Sequence, residues 1–514
     1  MRQIAAMNKP NAARVDGYAH GLKLSAQGRH AEAIEHFELA LGQCPDDARV
    51  LFALGNTARA LGLDQAAEEF FRRVLAQDPA RLEALVSLAN LLRARGQAQA
   101  AQMLLAPCLL RNPDAPELWL ALGSALRDLG DVTGAAAHFR EALTRRPDYA
   151  IALGNLADLL GDAGDRREAL ALYDRALRSE PDNAQARLNR AMLHLDGGNL
   201  TAGWRDYNAR LKIAGKAPIA EHTLSKWNGT FTGQTRLLVT TEQGVGDQIM
   251  FASLIPELAA RAAASDASII LECDPRLVPL FARSFRRVHV HAADLETKGG
   301  VTRARYGWLK AAGGANAAVE QGSLPRLLRT SLESFPSPHS FLTPDALETA
   351  RWGGFLAGAG RGPFIGLCWR SSKMGGERGL QYAPRAAWAA FVAQLPGTLL
   401  SLQYDATSDE VEELARLSGR TILVPPGLDQ KHELDRTLAL VSSLDAIVSA
   451  PTAVSWLAAG AGVDTYKVLY NSSWTSFGQT FEPFAPSCLC MTPEMPGDWT
   501  RTFAKTLSSI KERL

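Results

Sequence analysis

The feature that most constrains this chain is a period of 34 residues: Gly28, Gly62, Gly96, Gly130, Gly164 and Gly198 recur at that interval, as do Pro45, Pro79, Pro113, Pro147 and Pro181. A third column runs Ala33, Ala67, Ala101, Ala135, Ala169 and then Gly203, and a fourth Phe37, Phe71, Leu105, Phe139, Tyr173 and Tyr207. Four columns in one register imply a repeated helix-turn-helix unit. The glycine closes the first helix of each pair, where the backbone must take a positive φ. The small residue lets two helices cross closely, and the aromatic four positions on shares its face and fills the space beside it. The proline ends the second helix and starts the next unit.

This signature resembles the tetratricopeptide repeat, in six copies over residues 14–212. Such units bury their apolar face only against neighbours, so an all-α superhelix is expected whose first helices line a partner-binding groove. Arg59, Arg93 and Arg127 stand at equivalent places on the first helices, three residues after Asn56, Asn90 and Ser124. Residues three apart share a helical face, which predicts a polar stripe able to hold the backbone and acidic groups of an extended protein segment. The plain alternative is a solvated face that only keeps the groove wet. The last repeat departs from the pattern, with Gly203, Trp204 and Tyr207 in LTAGWRDYNARL, as expected of a cap that docks on the next domain.

At 514 residues the chain is longer than one hydrophobic core usually serves, so two or three domains are expected. A net charge of +1, with no long run of one sign, gives no electrostatic reason for a nucleic-acid or anionic-membrane partner. No stretch reaches the roughly 18 to 20 apolar residues of a membrane span, and the opening residues lack an apolar signal run, so the expected location is cytoplasmic. Cys44, Cys108, Cys273, Cys368, Cys488 and Cys490 are scattered as reduced thiols would be. Cys488 and Cys490 have neither a second pair nor a nearby histidine to complete a metal site.

Beyond residue 212 the period stops, and a polar connection leads into short apolar runs alternating with amphipathic stretches. RLLVTT, ASIILEC and VHVHA form a first set over 235–345, and FIGLCW, GTLLSLQ, TILVP, DAIVSA and TYKVLY a second over 360–514. Two such sets predict two Rossmann-like α/β lobes with mostly parallel sheets and ligands at the carboxyl ends of the strands. The first strand runs into EQGVGDQIMFASLIPEL, where Gln243, Gly244 and Gly246 make a tight turn and Asp247 stands where the next helix begins. Asp247 is there as a helix cap or as a general base at the cleft. In the second set, Trp369, Arg370, Ser371 and Ser372 follow the strand FIGLC, where an arginine and hydroxyls can meet a diphosphate. Ser449, Ala450, Pro451, Thr452 and Ala453 lead from DAIVSA into a helix whose free amides can receive phosphate. Gln403, Glu433 and Asp435 stand near strand ends, as donor contacts or as caps. His222, His289, His291 and His432 fall in no recognisable catalytic spacing, and no nucleophile motif, phosphate-binding loop or zinc spacing is present.

The segment Arg236 to Leu258 is similar to the opening of bacterial lipopolysaccharide heptosyltransferases, whose proposed base matches Asp247. The similarity extends, in bacterial proteins that place such a domain behind tetratricopeptide repeats, over GWRDYNARL, SKWNG, EQGVGDQI, GSLP, IGLCWRSS, SLQ and VSAPTAVSWLAAGAGV. It implies a two-lobed GT-B fold and sugar transfer from a nucleotide-activated donor held in the second lobe, with no metal and no cofactor. Where those enzymes usually read Asp-Thr-Gly with a downstream histidine, this chain reads Pro451-Thr452-Ala453 and Trp456, so a donor-contacting carboxylate is missing. The resulting expectation is a protein glycosyltransferase whose repeats hold a polypeptide acceptor, with flagellin the acceptor that the analogy to flagellin-modifying relatives offers. The alternatives are an inactive scaffold and a transferase acting on a lipid-linked or surface glycan.

Overall fold

A computed structural model describes residues 11–298, 300–336, 340–372, 379 and 381–514. The chain divides into two compact units, Met1–Pro181 and Asp182–Leu514.

The first unit is built of helical hairpins, from Asn11–Ala26 with His30–Gln43 to Ala150–Asp162 with Arg166–Ser179. Gly28, Gly62, Gly96, Gly130 and Gly164 turn each pair with φ between 73° and 89°. The second helices end at Cys44, Asp78, Asn112, Arg146 and Glu180, the residues directly before the prolines. The backbone of all five has already departed from the α-helical conformation, which the ring of a following proline disfavours. Ala33, Ala67, Ala101, Ala135 and Ala169 are fully buried, as are Phe37, Phe71, Leu105 and Phe139. A fifth column in the same register, Gly21, Gly55 and Gly123, finds its reason in three dimensions: a β-carbon there would stand 2.6 to 2.8 Å from the ring of Phe37, Phe71 or Phe139. Glycine on the first helix is thus the counterpart of phenylalanine on the second.

The second unit begins with one more hairpin, Ala184–Asp196 and Leu200–Tyr207, followed by a tight turn at Asn208–Lys212. The 34-residue spacing over 14–212 reaches through this hairpin, which packs with the α/β part of the chain as expected of a cap. Trp204 is buried against Trp474, Phe477 and Phe484, with ring centroids 5.7 to 6.3 Å apart. A repeat must bury its apolar face on something. For this one that surface is the aromatic cluster.

Two parallel-rich sheets complete the second unit's core. The first runs Ser225–Lys226, Ala317–Glu320, Arg236–Thr240, Ser268–Cys273, His289–Ala292, every neighbouring pair parallel. The second runs Ile422–Leu423, Thr398–Ser401, Phe364–Cys368, Ala446–Ser449, Asp464–Val468, Ala485–Met491, Phe481–Glu482, antiparallel only at the last pair. A small third sheet joins Ile219–Ala220, Val301–Ala304 and Leu295–Lys298. Every strand predicted from the apolar runs is present. The short strands of the small sheet and of the sheet edges go beyond that prediction, as do two strands inside the larger sheets: Ala317–Glu320, which pairs with Arg236–Thr240, and the seven-residue Ala485–Met491. One continuous core runs from Leu188 and Trp204 through Phe251 to Ile447 and Trp456, so helices Val245–Ala252 and Ala453–Gly460 meet inside it. Among the described residues no helix is long and apolar enough to cross a membrane.

Candidate functional site

The site is built first from the turn after Arg236–Thr240. Gly244, with φ −67° and ψ 165°, is the N-cap of helix Val245–Ala252, and Asp247 is its third helical residue rather than its cap. In that first turn a carboxylate faces the positive end of the helix dipole. The turn is pinned from behind: Gln248 Nε2 donates to the Gln243 carbonyl at 2.9 Å, its Oε1 accepts from the Asp274 amide at 2.8 Å, and Gln321 Nε2 donates to the Gln248 carbonyl at 3.0 Å. Glu242 accepts from Arg210 Nη2 at 2.7 Å, and the Tyr207 hydroxyl lies 3.0 Å from Gln243 Nε2. Both partners come from GWRDYNARL, a contact that spacing alone could not reveal.

Gly246 faces the second lobe. A β-carbon at Gly246 would stand 3.6 Å from Ala453 Cα and from Trp456 Cδ1. The Gly-Asp turn and the first turn of helix Ala453–Gly460 therefore come together, two helix N-termini side by side. Pro451 is exposed there, while Thr452 is buried with its hydroxyl turned away from solvent, 3.1 Å from Ser449 Oγ and 3.5 Å from Cys368 Sγ. The Ser449 hydroxyl donates to the Ala450 carbonyl at 2.6 Å. The backbone amides of this turn, more than its hydroxyls, are what it can offer a ligand. Trp456 sits between Gly246 and Lys467, whose ammonium lies 3.9 Å from the ring centroid and 2.6 Å from Glu482. Trp456 thus covers a buried ion pair.

Arg370 departs from expectation. Its Nε donates to Glu410 Oε1 at 2.8 Å, and its Nη1 reaches both oxygens of Asp405 at 3.0 and 3.1 Å. Those hydrogen bonds to Glu410 raise the guanidinium pKa further, against the opposing effect of burial. Burial pushes the Glu410 carboxyl up, and the bonds from Arg370 and Trp369 outweigh it and hold the acid ionised to lower pH. A cation between two carboxylates has little net charge left for a diphosphate. Gln403 is equally committed: Oε1 accepts from the Trp369 and Arg370 amides at 2.9 and 3.0 Å, and Nε2 donates to the Arg370 carbonyl at 2.8 Å and to Asp405 at 2.9 Å. All four of its hydrogen-bonding positions are used, so Gln403 shapes the loop rather than a ligand. Ser371 is half-buried, and the Ser372 amide donates to the Tyr404 hydroxyl at 2.9 Å. Beside this loop lies a cavity of about 500 Å³ lined by Trp369, Tyr382, Trp388, Tyr470 and Trp499 with Arg370, Arg385 and Glu410.

The remaining candidates scatter. Asp435 pairs with Arg283 across the two lobes, and Glu433 binds Arg436 at 2.9 Å and the Asp429 amide at 2.9 Å. Asp429 accepts from the His432 amide at 3.1 Å and lies 2.8 Å from the His432 ring at the surface, His291 stacks on Trp308, and His222 lies beside Tyr306. On the first unit, Arg93 Nη1 donates to Asn90 at 3.2 Å, so the pair does share a face, but Arg93 also binds Asp128 of the next repeat at 2.7 Å. Asn56 is half-buried and Arg59 exposed, Ser124 donates back to the Leu120 carbonyl at 2.9 Å, and Arg127 is half-buried. All six cysteines are free, and among the described residues no cluster of three or more metal-ligating side chains is present.

Helical hairpins followed by two parallel α/β sheets define the class of chain. A tetratricopeptide-repeat family model matches residues 18–81, 86–150 and 155–218, so the chain carries tetratricopeptide repeats. It is 32% identical to Protein FlbA of Caulobacter vibrioides over 326 residues, 61% of this chain and 53% of that protein. The chain thus spans about half the length of this curated relative. Among solved structures, TTC0263, a thermophilic repeat protein of Thermus thermophilus, is 28% identical with a TM-score of 0.33, covering 35% of this chain and 99% of its own. Pseudomonas aeruginosa PilF is 19% identical with a TM-score of 0.32, covering 39% of this chain and 90% of its own.

Proposed function

We propose that this protein transfers a sugar from a nucleotide-activated donor to a protein acceptor recruited by its repeats. The observation that carries the reading is the pairing of the Gly246-Asp247 turn with the first turn of helix Ala453–Gly460 at the carboxyl ends of two parallel sheets. Asp247 takes the proton of an acceptor hydroxyl as that oxygen attacks the anomeric carbon, and the leaving nucleotide's phosphate charge falls on the amides that follow Pro451. Arg370 holds the second-lobe loop through Asp405 and Glu410 instead of meeting the phosphate. The repeats favour a polypeptide acceptor, because tetratricopeptide arrays commonly bind proteins; flagellin is the acceptor proposed by analogy. The reaction needs no metal.

A second reading, a non-catalytic scaffold, is favoured by one specific feature: Arg370, Gln403 and Thr452 are all engaged within the protein. Incubation with labelled UDP-, GDP-, ADP- and CMP-sugars in a cell extract separates the readings. Label appearing in protein with the parent and not with Asp247→Asn supports the transferase. Label in the lipid extract moves the acceptor to a glycan carrier, and no transfer together with no nucleotide-induced thermal shift at millimolar concentration favours the scaffold.

A further inference from the structure

The last hairpin carries more than a docking face. Arg210, just beyond it, is a charged residue whose side chain is 6% exposed and whose partner Glu242 is likewise 6% exposed. Its guanidinium has five N–H donors, and five hydrogen bonds are made: Nε and Nη2 to Glu242 Oε1 at 3.1 and 2.7 Å, Nη2 to Ser323 Oγ at 3.1 Å, and Nη1 to the Tyr207 carbonyl at 3.3 Å and Asn208 Oδ1 at 3.1 Å. The same guanidinium lies 4.6 Å over the Tyr207 ring. Glu242 Oε1 also accepts from the Gly322 amide at 3.2 Å. A β-carbon at Gly322 would stand 2.6 Å from Gln243 Nε2, 2.7 Å from Glu242 Oε1 and 2.9 Å from Arg210 Nη2, so a larger residue there would displace the ends of these three side chains. Tyr207, fully buried, holds the next residue, its hydroxyl donating to Gln243 Oε1 at 3.2 Å and accepting from Gln243 Nε2 at 3.0 Å. Glu242 and Gln243 are the two residues before the Gly244 cap of the helix that carries Asp247.

We propose that Arg210 and Tyr207 are positioning residues which set the Glu242–Asp247 turn, making the final hairpin part of the working site and not only of the repeat array. This rests on the reading that Asp247 acts in the cleft. Two buried side chains from one motif grip two consecutive loop residues, and only Gly244, Val245 and Gly246 separate those residues from Asp247. A buried pair with every guanidinium donor used is a geometric device: lysine preserves the charge and supplies three donors where five are needed.

The test uses the full chain and amide hydrogen exchange read by mass spectrometry, in the parent, Arg210→Lys and Tyr207→Phe, with transfer kinetics alongside. Peptides covering residues 241–248 are expected to exchange about tenfold faster in both variants while the second-lobe strand Ala446–Ser449 keeps its rate. Tyr207→Phe keeps the packed ring and removes only the hydroxyl, so it carries the test should Arg210→Lys fail to fold. Where the parent transfers sugar, Arg210→Lys is expected to lower kcat with the donor KM unchanged. Unchanged exchange at 241–248 in both variants overturns the proposal, as does acceleration spread equally over both lobes. If the variants loosen the turn while the parent neither transfers sugar nor shows a nucleotide-induced thermal shift, the transferase reading fails and the grip of Tyr207 and Arg210 on the turn stands as a structural one.

Discussion

The fifth repeat column makes a prediction about sign. Gly55 lies in helix Ala48–Ala60, and a β-carbon there would stand 2.6 Å from Phe71 Cε1 and 2.8 Å from Cδ1, with Phe71 fully buried. Gly154 lies in helix Ala150–Asp162 with nothing within 4 Å of where its β-carbon would be. Replacing a helical glycine with alanine is worth about 1 kcal/mol in backbone entropy and propensity at either position. Forcing a methyl group into a filled space costs roughly 1 to 3 kcal/mol, and only Gly55 incurs it. Gly154→Ala should therefore stabilise by about 1 kcal/mol, and Gly55→Ala should lie below it by roughly 1 to 3 kcal/mol. Urea unfolding of the full chain, followed by far-ultraviolet circular dichroism, measures the difference. The third repeat suggests the rescue, since Ala89 and Leu105 occupy the equivalent positions and both are buried. Gly55→Ala combined with Phe71→Leu should cost at least about 0.5 kcal/mol less than the two single changes summed. Equal stability of Gly55→Ala and Gly154→Ala would show that the Phe71 ring has room and that close approach does not select glycine.

Glu272 is fully buried, and its carboxyl is pushed up to about 7 by burial, against the Thr241 amide and Tyr306 hydroxyl that bond it. Its folded state holds a proton that the unfolded chain releases near its ordinary value of 4.5, so stability falls as pH rises between those two values and levels off above. Urea midpoints across that window should fall by an amount equivalent to about 3 kcal/mol in the parent relative to Glu272→Gln, which has no proton to lose. Lys467→Met leaves Glu482 buried and unpaired and should cost about 3 to 5 kcal/mol in thermal or urea unfolding, most of it recovered in Lys467→Met with Glu482→Leu. Arg93→Ala, which breaks a partly exposed bridge between repeats, should cost only about 1 kcal/mol, and Asp128→Asn in the same background should add almost nothing.

The repeats are legible in the sequence because everything that makes a hairpin is local. The turn glycine, the crossing alanine, the aromatic and the proline act on neighbours within one 34-residue unit, and the same need recurs in each. The strands predicted from apolar runs stand in place for a related reason: a buried parallel strand shows as a short hydrophobic stretch. Ala317–Glu320 escapes that pattern because alanine has little β preference, and its place beside the first strand is set by a chain segment about 80 residues away. Arg370 stands at a strand end, as its neighbours in the sequence predict, yet what it does depends on Asp405 and Glu410, 35 and 40 residues further on.

The same division runs through the candidate site. Sequence alone determined that Asp247 follows a strand and a glycine turn, because that geometry is written in adjacent residues. Tertiary structure decided which charges are already neutralised, that the turn is gripped by Tyr207 and Arg210, and that Trp456 covers a buried ion pair. Those outcomes depend on which side chains are removed from water together, and desolvation is a property of the assembled core that no run of neighbouring residues encodes.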